Sequence, residues 1–180
     1  MASHHNQPHP DVVAHAVRCA IVTISDTRTP KTDQSGQLMQ RLLAAAGHPV
    51  TYYEILKDEP AQITALVKQL ALSTEVQAIL LNGGTGIAPR DTTYDAIAQL
   101  LTKTLPGFGE IFRQLSYTEI GSRAIASRAI AGIHTNHSNS EQASSTLIFS
   151  VPGSSKAVKL AMEALIIPEL SHLAKLLSSG

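Results

Sequence analysis

The chain is expected to fold as an α/β domain: a three-layer, doubly wound, mostly parallel sheet with helices on both faces. Three observations carry this expectation. Apolar runs alternate with stretches of helical periodicity in the order strand, helix, strand, helix, strand. The runs are continuously apolar, which suits parallel strands covered on both faces. The chain has 180 residues, 43% of them hydrophobic, enough for one domain with a sizeable core.

Residues 18–24, RCAIVTI, read as the first buried strand, followed by a polar loop, SDTRTPKTDQSG, over 25–36. Leu38, Met39, Leu42, Leu43 and Ala46 recur at helical spacing, and Gly47 closes that helix. VTYYEIL (50–56) is the second strand. Pro60 opens the next helix, with Ile63, Leu66, Val67 and Leu70 on one face. VQAILLN (76–82) is the third strand, and a helix follows near 93–102. Ile111, Phe112, Leu115 and Ile120 give 107–123 a near-helical pattern. AIAGI (129–133) and TLIFSV (146–151) read as strands joined by the polar stretch HTNHSNSEQASS, in which His134 and His137 are expected to be solvated. A last helix opens at Ser154 with Val158, Ala161, Met162 and Leu165 on its apolar face. Pro168 kinks or breaks it before Leu170, Leu173, Ala174 and Leu177 resume the pattern. The domain is assigned to 17–180 and a solvated arm to 1–16. His4, His5, His9 and His15 lack Cys or acidic partners at ligand spacing there.

Charged residues make up 16% of the chain and aromatics 4%, so the core must be built from Leu, Ile, Val and Ala. So little surface charge points to buried subunit contacts. Fourteen basic residues balance fourteen acidic ones, with no basic stripe or stacking platform, which weighs against nucleic-acid binding. Cys19 lies in an apolar run and reads as a small buried hydrophobe rather than a nucleophile. No segment is apolar for long enough to span a bilayer, and MASHHNQPHPDVV lacks the apolar core of a secretory signal. A soluble, cytoplasmic protein is expected.

Ligands of such sheets bind at the carboxyl ends of the strands, which nominates 25–36, 57–60 and 83–91. The strongest element is Gly83-Gly84-Thr85-Gly86. Glycines leave backbone N–H groups free to converge on an anion, aided by a helix N-terminus. The same glycines also suit a tight strand-to-helix turn at positive φ. Neither a Walker A loop nor the dinucleotide G-x-G-x-x-G is present. Asp91 can cap the helix that follows it, and Asp58 the helix begun by Pro60. Together they can instead hold one Mg²⁺, an ion that takes one or two carboxylates and completes its shell with substrate phosphates and water. Gly153 and Ser154, at the start of the last helix, offer N–H groups and a hydroxyl to an anion, or a simple cap.

SDTR (25–28), DQSG (33–36), KDEP (57–60), GGTGIAPRDTT (83–93), PGFGEIFRQLSYTEIGSRAIASRAIAG (106–132) and SVPGSSKAV (150–158) resemble the MoaB/MogA family of molybdenum cofactor biosynthesis. The resemblance covers roughly residues 18–170, and 110–132 look more like MoaB than MogA. It implies a molybdopterin-binding α/β fold assembled as a trimer, or a hexamer of two trimers. It also implies adenylylation of molybdopterin by ATP with release of pyrophosphate, ahead of a molybdate-insertion protein. A non-catalytic molybdopterin-binding or carrier protein is the alternative. By resemblance, Asp58 and Asp91 are the catalytic acids and hold Mg²⁺, while Gly83, Gly84, Thr85 and Gly86 bind phosphate. Ser25, Asp26 and Gly36 line the same pocket, Ser122 and Ser127 meet the pterin side, and Pro152, Gly153 and Ser154 form the last loop. Some MoaB proteins lack the acid at the position of Asp58; this chain keeps both. The stretch 134–145 is longer than the family's connection.

Overall fold

A computed structural model of the chain describes residues 15–136 and 144–178. Its strands are β1 (Cys19–Ile24), β2 (Val50–Leu56), β3 (Ala78–Asn82), β4 (Lys103–Thr104), β5 (Ile130–Asn136) and β6 (Ser144–Val151). They form one six-stranded sheet in the order β2-β1-β3-β6-β5-β4. The first four in that order run parallel; β5 and β4 are antiparallel to their neighbours. The doubly wound, mostly parallel expectation therefore holds.

Each apolar strand feeds two cores, because successive side chains leave opposite faces of the sheet. Cys19, Ile21, Leu80, Leu147 and Phe149 pack against α1 (Gln34–Ala45), α4 (Pro106–Ile120), α5 (Ser155–Ala161) and α6 (Ile167–Ser178). Ala20, Val22, Ile79, Leu81 and Ile148 pack against α2 (Pro60–Ala71) and α3 (Thr93–Leu100). Burial on both sides explains why the strands read as continuous apolar runs. Cys19 lies in the first core, where burial pushes its thiol up to about 12, so it is un-ionised at neutral pH.

Four elements differ from the sequence expectation. Helix α1 begins at Gln34, inside the loop expected to reach 36, because the Asp33 carboxylate accepts the Gly36 N–H at 3.0 Å and caps it. At its other end Gly47, as expected, closes the helix: the His48 N–H reaches the Leu43 carbonyl and the Gly47 N–H that of Ala44. Strand β4 is two exposed polar residues and has no apolar signature. Residues 121–126 form a 3₁₀ turn, so the helix beginning at Pro106 stops at Ile120. Strands β5 and β6 extend into the polar stretch, pairing His134 with Thr146 and Asn136 with Ser144. His134, expected to be solvated, is half-buried with Nδ1 2.7 Å from the Leu100 carbonyl. Hydroxyl contacts of Thr135 with Ser145 and Thr102 stand in for apolar packing there. The pattern is interrupted just before Pro168 by a π turn, Met162–Ile166, in which the Ile167 N–H reaches the Met162 carbonyl five residues back. The arm at 1–16, except residues 15 and 16, lies outside the described residues, as does His137.

His48 is buried, and its Nδ1 accepts the Val17 N–H at 3.1 Å. Burial, with the nearby His15 charge, holds its pKa below the usual histidine value. The unfolded chain therefore takes up this proton at higher pH than the folded one does. Stability supplied by neutral His48 is complete above the ordinary histidine value and is lost as pH falls below it. Thermal unfolding at pH 7.5 and pH 5.5 is expected to show a drop that His48→Gln reduces, the Val17 bond being worth on the order of 1 kcal/mol. An equal drop in that variant would assign the loss elsewhere.

Candidate functional site

The end of β3 turns sharply. Gly83 and Gly84 have φ of 101° and 62°, a region that side chains rarely enter. A Cβ on Gly83 would also lie 2.2 Å from the Ile24 carbonyl oxygen. The tight-turn reading of these glycines is therefore correct, but it does not exclude the anion reading. The Gly83 N–H is spent on the Val151 carbonyl, whereas those of Gly84, Thr85 and Gly86 find no acceptor among the described residues.

These residues line a cavity of about 420 Å³ at the carboxyl ends of the parallel strands. Ser25 and Arg28 reach it from the loop after β1, Asp91 and Ser127 from the far side, and Pro152 and Gly153 from the loop after β6. The segments nominated after β1 and β3 and the last loop thus converge, whereas no residue of 57–60 lies on the cavity wall.

The two acids lie close against the glycine loop, Asp91 on the cavity wall and Asp58 off it. A Cβ on Gly84 would lie 2.3 Å from Asp58 Oδ2, and one on Gly86 would lie 2.5 Å from Asp91 Oδ2. Neither acid caps its own helix. Helix α2 has no side-chain cap, and Asp58, almost wholly buried, instead accepts the Thr92 hydroxyl at 2.6 Å and the Thr92 N–H at 3.3 Å. It therefore anchors the N-terminus of α3, an element 34 residues away in sequence. Asp91 takes the Ala88 N–H through Oδ2, leaving Oδ1 without a partner among the described residues. Both acids thus flank one loop, one rigidly held and one with a free oxygen.

Several expected pocket residues play other parts. Asp26 is not on the cavity wall: its carboxylate receives a two-pronged bond from Arg90 at 3.1 Å and the Asp58 N–H at 3.3 Å, tying together the ends of β1, β2 and β3. Gly36 is buried in the first turn of α1, its N–H spent on Asp33. Ser154 caps α5 through the Ala157 N–H, and Ser122 lies in the 3₁₀ turn away from the cavity wall. Ser154 thus takes the cap reading offered for it, whereas Gly36 and Ser122 differ from expectation because a motif shows which residues are near in sequence, not which way each one faces.

Two arginines escaped the sequence reading. Arg28 lines the cavity and reaches across it to the Gly153 carbonyl at 2.9 Å. Its other arm meets Asp33, Ser35 and Asn82. Asp33 is fully buried and also receives the Thr23 and Tyr53 hydroxyls at 2.6 and 2.8 Å. Burial alone would push its carboxyl up; the bonds from Thr23, Gly36, Tyr53 and Ser35 outweigh this and hold it below the usual value. The second is Arg128, which meets the glycine loop from behind and lines a separate groove of about 910 Å³ between α2 and α3. A basic residue inside SDTR was the only available signal for Arg28; nothing local marks Arg128.

Three or more His, Cys, Asp or Glu side chains do not gather into a metal-binding group among the described residues. Asp91, on the cavity wall with a free oxygen beside N–H groups that find no acceptor among the described residues, fits Mg²⁺, whose remaining ligands are habitually phosphate oxygens and water; Asp58 could join it only by giving up bonds from Thr92 and Thr93. No helix among these residues is long and apolar enough to cross a membrane.

The family model described as "Probable molybdopterin binding domain" matches residues 20–172, from β1 into α6. The chain is 53% identical to molybdenum cofactor biosynthesis protein B of Bacillus subtilis over 172 residues, 95% of this chain and 94% of that one. A crystal structure of a molybdenum cofactor biosynthesis protein B superposes with a TM-score of 0.86 at 49% identity, covering 94% of this chain and all of that one. The tungsten cofactor synthesizing protein MoaB of Pyrococcus furiosus superposes with a TM-score of 0.78 at 31% identity, over 90% and 97% of the respective chains.

Proposed function

The chain belongs to the molybdopterin-binding domain family of molybdenum cofactor biosynthesis proteins, on the MoaB side of the MoaB/MogA group, and from that premise we propose that it joins AMP from ATP to molybdopterin. An oxygen of the molybdopterin terminal phosphate attacks the α-phosphorus of ATP. A new P–O bond forms, the bond between the α-phosphorus and its bridging oxygen breaks, and pyrophosphate leaves with that oxygen and its electron pair. The nucleophile is already anionic at neutral pH, so no strong base is needed, and catalysis is positioning and charge neutralisation.

The observation that carries this reading is one cavity holding three loop N–H groups, a guanidinium and a carboxylate oxygen, with those N–H groups and that oxygen unpaired among the described residues. Gly84, Thr85 and Gly86 would bind phosphate oxygens through the backbone, and Arg28 would add a fixed positive charge. Asp91 and Asp58 would hold Mg²⁺, which neutralises phosphate charge when bound. Ser127 would face the pterin, and Pro152 and Gly153 would close the wall opposite. A trimer or hexamer would use the exposed Ile111, Tyr117 and Ile120 of α4 and Ile125 beside it. The adenylylated product would pass to a molybdate-insertion protein.

Purified protein with ATP, Mg²⁺ and molybdopterin is expected to release one pyrophosphate per molybdopterin consumed, and none without the pterin. If both ligands raise the melting temperature but no pyrophosphate appears, the protein is a carrier and not the transferase.

A further inference from the structure

We propose that Arg128 is the positioning residue that sets the glycine loop in its phosphate-binding form, an inference that rests on the reading of that loop as a phosphate site. Arg128 Nε donates to the Thr85 carbonyl at 3.0 Å, and Nη2 donates to those of Gly86 at 2.6 Å and Asp91 at 3.3 Å. A peptide unit is planar and trans, so its C=O and N–H point in opposite directions. Holding the Thr85 oxygen therefore aims the Gly86 N–H away from the arginine, and holding the Gly86 oxygen does the same for the Ile87 N–H. The third peptide shows this directly: the Asp91 carbonyl meets Arg128 while the Thr92 N–H of the same unit meets Asp58 at 3.3 Å.

Charge adds to this geometry. Carbonyl oxygens turned toward a phosphate would repel it, and the guanidinium gathers them and polarises each peptide with its N–H end turned away from the arginine, which for Gly86 is at the cavity wall. Arg128 lines the groove between α2 and α3 and is not on the cavity wall, so it acts through the loop without touching the ligand. Its plane is fixed by Asp95 at 3.1 Å and by the Tyr94 ring, 4.7 Å from the guanidinium carbon to the centroid. A lysine at 128 offers one compact charge and cannot fork across three carbonyls.

The test measures Mg²⁺-ATP and inorganic pyrophosphate affinity by calorimetry and the amide resonances of Gly86, Ile87 and Thr92 by NMR. Arg128→Lys is expected to weaken both ligands about 10-fold or more and to shift those three amides in the free protein, with the amides of β1 unchanged. Tyr94→Leu, which leaves the arginine but frees its plane, is expected to weaken them roughly 3-fold. Wild-type affinity in Arg128→Lys, or in Tyr94→Leu should the first variant fail to fold, overturns the proposal. Absence of pyrophosphate release by the wild type, with ATP affinity still dependent on Arg128, sinks the transferase reading and leaves this one standing.

Discussion

Asp91→Asn is expected to lower the rate of AMP transfer about 10²- to 10³-fold while leaving the fold intact, the loss typical when one preorganised electrostatic contact at a reacting phosphate is removed. The substitution is clean because of where Asp91 sits. Its structural task is to accept the Ala88 N–H, and an asparagine oxygen can do the same. What disappears is the negative charge and with it the ligand proposed for Mg²⁺. Stability should change by less than about 0.5 kcal/mol, as for a partly exposed position that leaves no buried group unpaired. Asp58→Asn is a poorer probe, because Asp58 is buried and anchors α3, so activity and stability would fall together. Pyrophosphate release and thermal unfolding, read on the same sample, separate the two. An Asp91→Asn protein that turns over at the wild-type rate would remove Asp91 from the reaction.

Asp33→Ala is expected to destabilise the fold by about 3 kcal/mol and to weaken ATP binding as well. Asp33 is fully buried and accepts from Thr23, Tyr53, Ser35, the Gly36 N–H and Arg28. Removing it leaves buried donors unpaired and part of a buried charge pair uncompensated, each a recognised source of large losses. The cap of α1 goes with it. The ligand effect follows because Arg28 loses the carboxylate that holds it at the cavity. Asp33 is held below the usual carboxyl value, so the folded protein gives up this proton at lower pH than the unfolded chain does. Its contribution is complete above the ordinary aspartate value and is lost as pH falls through the depressed one. Urea unfolding at pH 7 and at pH 3 should therefore show a gap between wild type and variant that narrows at the lower pH. A constant gap would mean that packing, not ionisation, carries the effect.

Arg28 and Asp33 stand next to residues that the motifs singled out, Asp26 and Gly36, yet they do more at the cavity than either. SDTR and DQSG locate a loop; they do not say which of four residues faces inward. The same limit explains Asp58. A carboxylate two residues before a helix-starting proline reads as a cap for that helix, and only the approach of α3 reveals that it serves another. Strand β4 lacks any apolar residue to betray it, and the β5–β6 pairing continues through polar residues because hydroxyls bond across the strands.

The sequence by itself determined the order of the main elements, the two-faced burial of the core strands, the glycine loop and the pair of acids. These are local or periodic properties, written in composition and spacing over a few residues. Only the tertiary structure decided which side chains meet across the chain. Arg28 reaches Gly153, Asp58 holds Thr92, and Arg128 gathers the carbonyls of Thr85, Gly86 and Asp91 from 37 to 43 residues away. The physical reason is that a hydrogen bond or ion pair depends on distance and direction in space. The sheet sets these by placing β1, β3 and β6 side by side, whatever their separation along the chain.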